Sequence, residues 1–247
     1  MPNTHLRVFA DLEGMSAAAA ELFDELGRAR WREGNTFSAA LSGGSTPKRL
    51  YELLAAPPFS NQIPWQQVHL FQVDERCVSP DDPQSNYRMI REALLGHVPI
   101  PESNFHRMVA ELPDRDQAAL AYATELAETL RPGPGELPRL DLVFLGMGPD
   151  GHTASLFPDS PALKEQTLWV SSNFVEKLAA HRLTLTFPVL SAARRIVFLV
   201  SGEEKAETLR RVLRPEAGAL PLPARRVRPT DGEVSWYVDK AAAKFLE

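Results

Sequence analysis

Strand-like and helix-like segments alternate along almost the whole chain, and this alternation is the feature that most constrains the fold. Thr36 to Leu41, Val68 to Val73 and Leu140 to Leu145 are short apolar runs with the length of buried strands. Ser16 to Glu33 and Asp116 to Leu130 carry apolar residues at helical spacing. This order is typical of a mostly parallel, twisted sheet with helices on both faces. We therefore predict an α/β fold in three layers.

The same alternation continues to the end of the 247-residue chain. It predicts strands at Arg182 to Phe187, Arg195 to Val200 and Val234 to Val238, and helices at Asn86 to Leu95, Glu203 to Leu213 and Asp239 to Leu246. Arg131 to Pro138 is rich in Pro and Gly, which predicts a loop. Because the alternation resumes after this loop, we predict one domain over residues 1–247.

Charge and cysteine content exclude several classes of function. The chain has 27 basic and 32 acidic side chains, a net charge of −5, which argues against binding of nucleic acids or anionic membranes. The N-terminal residues do not resemble a signal peptide, and no apolar run approaches the roughly 18 residues of a membrane span. The single cysteine, Cys77, excludes an internal disulfide and suits the reducing cytoplasm. A small phosphorylated ligand is still compatible with this charge, because it needs only a few local cations.

Three polar loops directly follow three of the predicted strands. They are Ser42 to Thr46, Asp74 to Arg76, and Gly146 to His152. In open α/β sheets, ligands bind outside the carboxyl ends of the strands. We therefore expect these three loops to form one site.

The first loop has the composition of a phosphate-binding turn. Gly43 and Gly44 let the backbone approach a ligand, and Ser45 and Thr46 supply hydroxyl groups. We predict that Thr46 caps the next helix and that Pro47 is its first residue, so the positive end of the helix dipole faces the loop. The alternative is a tight turn that needs glycine only for its backbone conformation. The pattern GxxxxGK[ST] is absent, so a nucleoside triphosphate is not indicated.

The third loop contains an acid and an imidazole at the end of a strand. Gly146, Gly148 and Gly151 match the spacing of a dinucleotide fingerprint, but Asp150 would lie where the pyrophosphate binds, so we reject a nicotinamide cofactor. An imidazole titrates near neutral pH and can accept a proton from water. We therefore predict that His152 is a general base assisted by Asp150.

The second loop places Asp74, Glu75 and Arg76 at the rim of the sheet. These charges could hold a polyhydroxylated substrate or stabilise a developing negative charge. The alternative is an internal ion pair that caps the strand. We predict neither a metal site, because the spacing of a ligand set is absent, nor a serine nucleophile, because the GxSxG elbow is absent.

Several blocks together resemble the 6-phosphogluconolactonase family, and they lie in the family's order over nearly the whole chain. The blocks are Ser42 to Pro47, Asp74 to Arg76, Ser85 to Tyr87, Gly146 to Pro158, Arg182 to Thr186, Gly202 to Ala206 and Trp236 to Asp239. The resemblance implies a single Rossmann-like α/β domain, related to the glucosamine-6-phosphate isomerase/deaminase fold. It implies hydrolysis of 6-phosphogluconolactone to 6-phosphogluconate in the pentose phosphate pathway, without metal or organic cofactor. The implied partner is a small sugar-phosphate lactone, bound by a monomer or weak homo-oligomer.

The resemblance also implies roles for individual residues. His152 would activate water for attack on the lactone carbonyl, and Asp150 would position the histidine or the substrate. Asp74 and Arg76 would lie near the reacting end. The phosphate would bind to a set made up of Gly43, Gly44, Ser45, Thr46, Arg182 and Lys205.

One segment departs from the family's pattern, and two other functions stay open. Family members commonly have prolines before the Arg-x-Thr-Leu-Thr block, where this chain has Lys177 to His181, which makes the placement of Lys177 and Arg182 less certain. A sugar-phosphate deaminase would use a further acidic residue soon after the histidine, but Thr153 to Pro158 has none. A non-catalytic sugar-phosphate sensor would keep the cations and would need no base.

Overall fold

A parallel sheet of seven strands forms the centre of the protein in a computed structural model that describes residues 4–246. The strands of the chain are β1 (Thr4–Phe9), β2 (Phe37–Leu41), β3 (Val68–Gln72), β4 (Asp74–Arg76), β5 (Phe105–His106), β6 (Leu142–Gly146), β7 (Val170–Val175), β8 (Ala180–Leu185), β9 (Arg195–Val200) and β10 (Glu233–Asp239). The order in the large sheet is β1-β10-β9-β6-β2-β3-β5, and every neighbouring pair is parallel. The predicted α/β class is therefore confirmed.

Helices cover both faces of this sheet. They are α1 (Leu12–Arg32), α2 (Ser45–Leu54), α3 (Phe59–Gln62), α4 (Asn86–Ala93), α5 (Arg115–Leu130), α6 (Phe187–Ala192), α7 (Ala206–Leu213) and α8 (Pro223–Arg226). Along β6, Leu142 and Phe144 pack with α1 and α2, whereas Val143 and Leu145 pack with α5 and α6 on the other face. Successive side chains of a strand point to opposite faces, so a sheet covered on both sides needs strands that are apolar throughout. This requirement explains the continuous apolar runs in the sequence.

A second, antiparallel sheet of three strands lies beside the first, in the order β4-β8-β7. The predicted strand Arg182 to Phe187 belongs here, but its bounds are wrong: β8 ends at Leu185 and Phe187 already begins α6. Pro188 lies at the start of that helix, where its missing N–H costs nothing, and it cannot extend a strand ladder. The sequence analysis did not predict β1, β5 and β7, and it treated Asp74 to Arg76, which forms β4, as a loop. Strand β7 carries polar residues at Ser171 to Asn173 that mask its strand pattern.

The predicted start of one helix is wrong, and another predicted helix is absent. Helix α2 begins at Ser45, and its N-cap is Gly44 with φ of 103°, so Thr46 and Pro47 are its second and third residues. A glycine accepts this backbone angle readily, so the chain enters the helix without a side-chain cap. The predicted helix Asp239 to Leu246 is absent, because Asp239 ends β10 and a series of turns follows.

The carboxylate of Asp141 joins several elements at the N-terminal end of the sheet. Its Oδ2 accepts from the backbone N and the Oγ of Ser38, both at 3.0 Å. Its Oδ1 lies 3.1 Å from Nε of Arg30 and 3.3 Å from Nε of Arg194. The side chain is only 8% exposed, so these partners replace water almost completely.

We expect Asp141→Ala to lower the free energy of unfolding by about 3 kcal/mol, because it leaves a buried N–H and two guanidinium groups without their partner. Urea denaturation followed by circular dichroism measures this change. The control is Glu92→Ala, which removes an exposed ion pair with Arg88 and should leave the midpoint almost unchanged. Equal midpoints for the two variants would contradict the structural role of Asp141.

Candidate active site

A polar cavity lies at the carboxyl ends of four neighbouring strands, β9, β6, β2 and β3. All three predicted loops reach it. It is lined by Ser42, Gly43, Gly44, Ser45, Thr46, Pro47, Asp74, Arg76, Asn86, Gly146, Met147, Gly148, His152, Ala154, Leu199 and Lys205. The structure thus brings together eight of the ten predicted site residues. Asp150 and Arg182 do not line the cavity; Asp150 lies behind His152, and Arg182 lies beside Arg76.

The glycine loop after β2 is held so that its backbone faces the cavity. A Cβ atom on Gly43 would lie 1.6 Å from Oδ1 of Asn86, so this position has no room for a side chain. Ser42 donates its hydroxyl to the carbonyl of Phe144 at 2.7 Å and is thereby tied to the neighbouring strand. The first backbone N–H groups of α2 have no partner within the helix, and they carry the positive end of its dipole. The loop is therefore suited to bind an anion.

The loop after β6 is folded tightly around His152. Gly148 donates its N–H to the carbonyl of His152 at 3.0 Å, and Thr153 donates its hydroxyl to the carbonyl of Gly146 at 2.8 Å. Thr208 of α7 donates to the carbonyl of Pro149 at 2.6 Å. A Cβ atom on Gly148 would lie 2.2 Å from Nδ1 of His152. Gly148 therefore makes room for the imidazole ring.

His152 and Asp150 form a hydrogen-bonded pair. Nδ1 of His152 lies 2.6 Å from Oδ1 of Asp150, and the ring stacks on Phe157 with centroids 4.0 Å apart. Burial acts to raise the pKa of Asp150, but hydrogen bonds from His152 and Lys177 outweigh it and hold the pKa well below the usual value. Asp150 is therefore ionised at neutral pH and can only accept hydrogen bonds. The Nδ1 atom of neutral His152 must then carry the proton, which leaves the lone pair on Nε2.

Asp74 is buried among neutral donors. Its Oδ2 accepts from Oγ of Ser155 at 2.7 Å, and its Oδ1 lies 3.4 Å from Nδ2 of Asn86. Arg76 does not pair with Asp74; it donates to the carbonyl of Gln84 at 2.6 Å and to Oδ1 of Asn86. Among the described residues, the hydrogen bonds of this segment therefore do not fit the alternative of an ion pair that caps the strand.

Glu75 holds the start of α4 against β4. Its two oxygens accept from the backbone N–H groups of Arg76, Asn86 and Tyr87 at 2.7–2.8 Å, and also from Nε2 of Gln72 and Oγ of Ser85. Burial raises the pKa of Glu75, and these hydrogen bonds act in the opposite direction. The carboxylate thus fixes the positions of Arg76 and Asn86 in the cavity wall.

Three cations lie at or near the cavity. Arg76 of β4 and Arg182 of β8 are directly opposite each other in the antiparallel ladder, which is unfavourable for two like charges. Burial and the positive charge of Arg76 lower the pKa of Arg182. Lys205 lies on a short 3₁₀ turn after β9, and burial lowers its pKa against the opposing effects of Glu204 and Asp239. A bound anion would offset the repulsion between Arg76 and Arg182 and would stabilise the charged form of Lys205.

Two further observations concern other classes of site. Within residues 4–246, no group of three or more His, Cys, Asp and Glu side chains could hold a metal ion. No helix in this part of the chain has both the length and the apolar character needed to cross a membrane.

Four further residues shape the site although the sequence analysis did not name them as individual site residues. Asn86, Ser155, Glu75 and Lys177 all contact predicted site residues. Asn86 and Ser155 stand in blocks that carry the family resemblance, which could have marked them. Glu75 stands in such a block too, but the sequence analysis expected it to act on the substrate and not to hold the start of α4. For Lys177 the sequence pattern carries no signal, because its contact depends on how separate loops meet.

The sequence of this chain is similar to a family model and to several known proteins. The family model described as glucosamine-6-phosphate isomerases/6-phosphogluconolactonase matches residues 10–236. The 6-phosphogluconolactonase of Synechocystis sp. is 44% identical over 84% of this chain and 83% of its own length. The human 6-phosphogluconolactonase is 39% identical over 98% of this chain and 93% of its own length.

A solved structure gives the same result for the fold. The 6-phosphogluconolactonase from Trypanosoma brucei superposes with a TM-score of 0.88 at 33% identity and covers 99% of each chain. The match therefore includes both sheets and all three loops around the cavity. The chain belongs to the family of glucosamine-6-phosphate isomerases and 6-phosphogluconolactonases.

Proposed function

We propose that this protein hydrolyses 6-phosphogluconolactone to 6-phosphogluconate. The observation that carries the proposal is the His152–Asp150 pair at the wall of a cavity that also contains a glycine loop and two cations. Curated relatives with 38–44% identity over most of the chain are 6-phosphogluconolactonases, which supports the same reaction. The cavity draws on strands from β2 to β9, which is consistent with the predicted single domain.

The phosphate of the substrate binds at the end of the cavity formed by Lys205 and the glycine loop from Gly43 to Thr46. The backbone N–H groups at the start of α2 and the ammonium group of Lys205 supply donors and positive charge on one side. Arg182 does not line the cavity, so its charge acts on the substrate from beside Arg76, its partner in the ladder. The phosphate thus fixes the lactone ring relative to His152.

His152 acts as the general base in the attack of water on the lactone carbonyl. Nε2 takes a proton from water as the oxygen bonds to the carbonyl carbon, while Asp150 accepts from Nδ1 and stabilises the imidazolium. When the tetrahedral intermediate collapses, the bond from the carbonyl carbon to the ring oxygen breaks. The ring oxygen takes the proton from the imidazolium, so one water is added and a hydroxy acid is formed.

The oxyanion of the intermediate needs hydrogen-bond donors that are already in place. Arg76 provides one, because Glu75 fixes its backbone and Asn86 holds its guanidinium at the cavity wall. Asp74 lies on the same wall and accepts from Ser155, which leaves it suited to orient the hydroxyl groups of the sugar. A lactone is an activated ester, so positioning and one general base suffice.

The two other functions receive less support from the site. In a deaminase, an acidic residue shortly after the histidine would assist ring opening, but Thr153 and Ser155 use their side chains to hold Gly146 and Asp74 in place. The first carboxylate after His152 is Asp159, which lines a neighbouring cavity. A non-catalytic sensor would not need the His152–Asp150 pair.

We expect His152→Ala to lower kcat/KM for the phosphorylated lactone by about 10²–10⁴-fold, the usual contribution of a general base. The measurement is lactone disappearance at fixed pH, corrected for spontaneous hydrolysis, with circular dichroism to verify folding. The matched control is His5→Ala, which changes an exposed histidine of β1 and should leave the rate unchanged. Unchanged turnover in a folded His152 variant would remove this residue from the mechanism.

We expect Lys205→Met to raise KM about 10- to 100-fold with a smaller change in kcat, because it removes a charged hydrogen bond to the phosphate. Arg182→Ala should raise KM less, since Arg182 does not line the cavity. With gluconolactone, which lacks the phosphate, wild type and Lys205→Met should react at equal rates. An equal loss on both lactones would contradict the phosphate assignment.

A further inference from the structure

We propose that Lys177 is a positioning residue for the His152–Asp150 pair and that it favours the neutral, proton-accepting form of His152. This inference rests on the proposed lactone hydrolysis, in which His152 must be neutral to accept a proton from water. It concerns a residue that lies on the turn between β7 and β8 of the small sheet and does not line the substrate cavity.

Asp150 accepts hydrogen bonds from two side chains, His152 and Lys177. Its Oδ1 lies 2.6 Å from Nδ1 of His152, and its Oδ2 lies 3.2 Å from Nζ of Lys177. Both oxygens of the carboxylate are thereby engaged, one by each partner. The ammonium group of Lys177 therefore helps to hold Asp150 in the orientation in which it contacts the imidazole ring.

The hairpin of the small sheet carries Lys177 to this position. Strands β7 and β8 pair from Val170–Leu185 to Val175–Ala180, and a 3₁₀ turn over Glu176–Leu178 joins them. Ala179 ends the turn with φ of 47°, in the left-handed region. The register of the hairpin and the left-handed Ala179 together place Lys177 beside Asp150.

Lys177 acts on the reaction through Asp150. With Asp150 and Phe157 it lines a neighbouring cavity that shares no lining residue with the substrate cavity. Its side chain is 70% exposed, whereas that of Asp150 is 22% exposed. The largely exposed ammonium group therefore pairs with the carboxylate without lining the substrate cavity.

The sign of the electrostatic effect follows from the three charges. Protonated His152 and Lys177 compete for the negative charge of Asp150, so the lysine makes the imidazolium less favourable. Other charged groups contribute as well: Lys205, Arg76 and Asp74 line the cavity with His152, while Asp159 and Glu176 line the neighbouring cavity with Asp150. Unlike these groups, Lys177 forms an ion pair with Asp150.

The test compares Lys177→Met with wild type in the pH dependence of kcat/KM for the phosphorylated lactone. Without the ammonium group, His152 stays protonated to higher pH, so the acid limb should move upward by about half a pH unit, as fits an exposed ion pair. The rate on the acid limb should fall by up to about threefold, and by less at neutral pH, as a half-unit shift requires. Lys177→Arg retains the charge and should restore the wild-type limb, and added salt should reduce the difference. The matched control is Lys164→Met, an exposed lysine on another turn.

An NMR titration of the His152 ring in the free protein separates this proposal from the proposed function. The midpoint of the ring signals should move upward by the same amount in Lys177→Met and stay unchanged in Lys164→Met. If wild type fails to hydrolyse the lactone while the midpoint still moves, the proposed function is wrong and the inference about Lys177 holds. If the midpoint in folded Lys177→Met equals that of wild type, Lys177 does not act on the pair and the inference is overturned.

Discussion

Parallel pairing of β9, β6, β2 and β3 is the constraint on which the site depends. Adjacent parallel strands end at the same edge of a sheet, so the loops that follow them must meet. The register pairs Leu41 of β2 with Gln72 of β3, and Gly146 of β6 with Leu199 of β9. Residues more than 150 positions apart in sequence, such as Ser42 and Lys205, thereby line one cavity. Each apolar strand both fills the core and delivers a polar loop to the same place.

Three carboxylates near the cavity have different chemical roles because their donors differ. Glu75 receives backbone N–H groups and is used entirely in building the wall. Asp74 receives a hydroxyl group from Ser155. Asp150 is bound to an imidazole and an ammonium group, so burial does not prevent its ionisation. Only Asp150 can therefore stabilise a positive charge that forms and disappears on its neighbour during a reaction.

The sequence predicted five of the seven strands of the large sheet, and eight of the ten predicted site residues line the cavity, because both depend on local signals. Apolar runs mark buried strands, and polar residues directly after them mark the edge where ligands bind. The second sheet was not predictable in this way. Strand β4 has three residues, and β7 is polar at Ser171 to Asn173, so their pairing is decided by where the loops after β3 and β6 are held. For the same reason the contact between Lys177 and Asp150 leaves no trace in the sequence pattern.

The net charge of −5 describes the chain as a whole and not the cavity. Arg76 and Lys205 line the cavity, and Arg182 lies beside Arg76. Many acidic side chains are on the exposed surface in pairs such as Arg88–Glu92 and Arg210–Glu207. Partly buried cations are screened less by solvent than exposed pairs, so a few of them dominate the local potential. An acidic surface is therefore compatible with an anionic substrate.

Two glycines of the loops have a further use that the sequence pattern does not suggest. In the sequence, Gly43 suggests a phosphate-binding turn, and Gly148 matches part of a dinucleotide fingerprint. In the structure, the space where a Cβ of Gly43 would lie is filled by Asn86, and that of Gly148 is filled by the ring of His152. Each glycine thus makes room for a side chain that lines the cavity. The spacing of glycines alone cannot distinguish a turn that binds a phosphate from one that seats a catalytic side chain, because both need a backbone without Cβ at the point of closest approach.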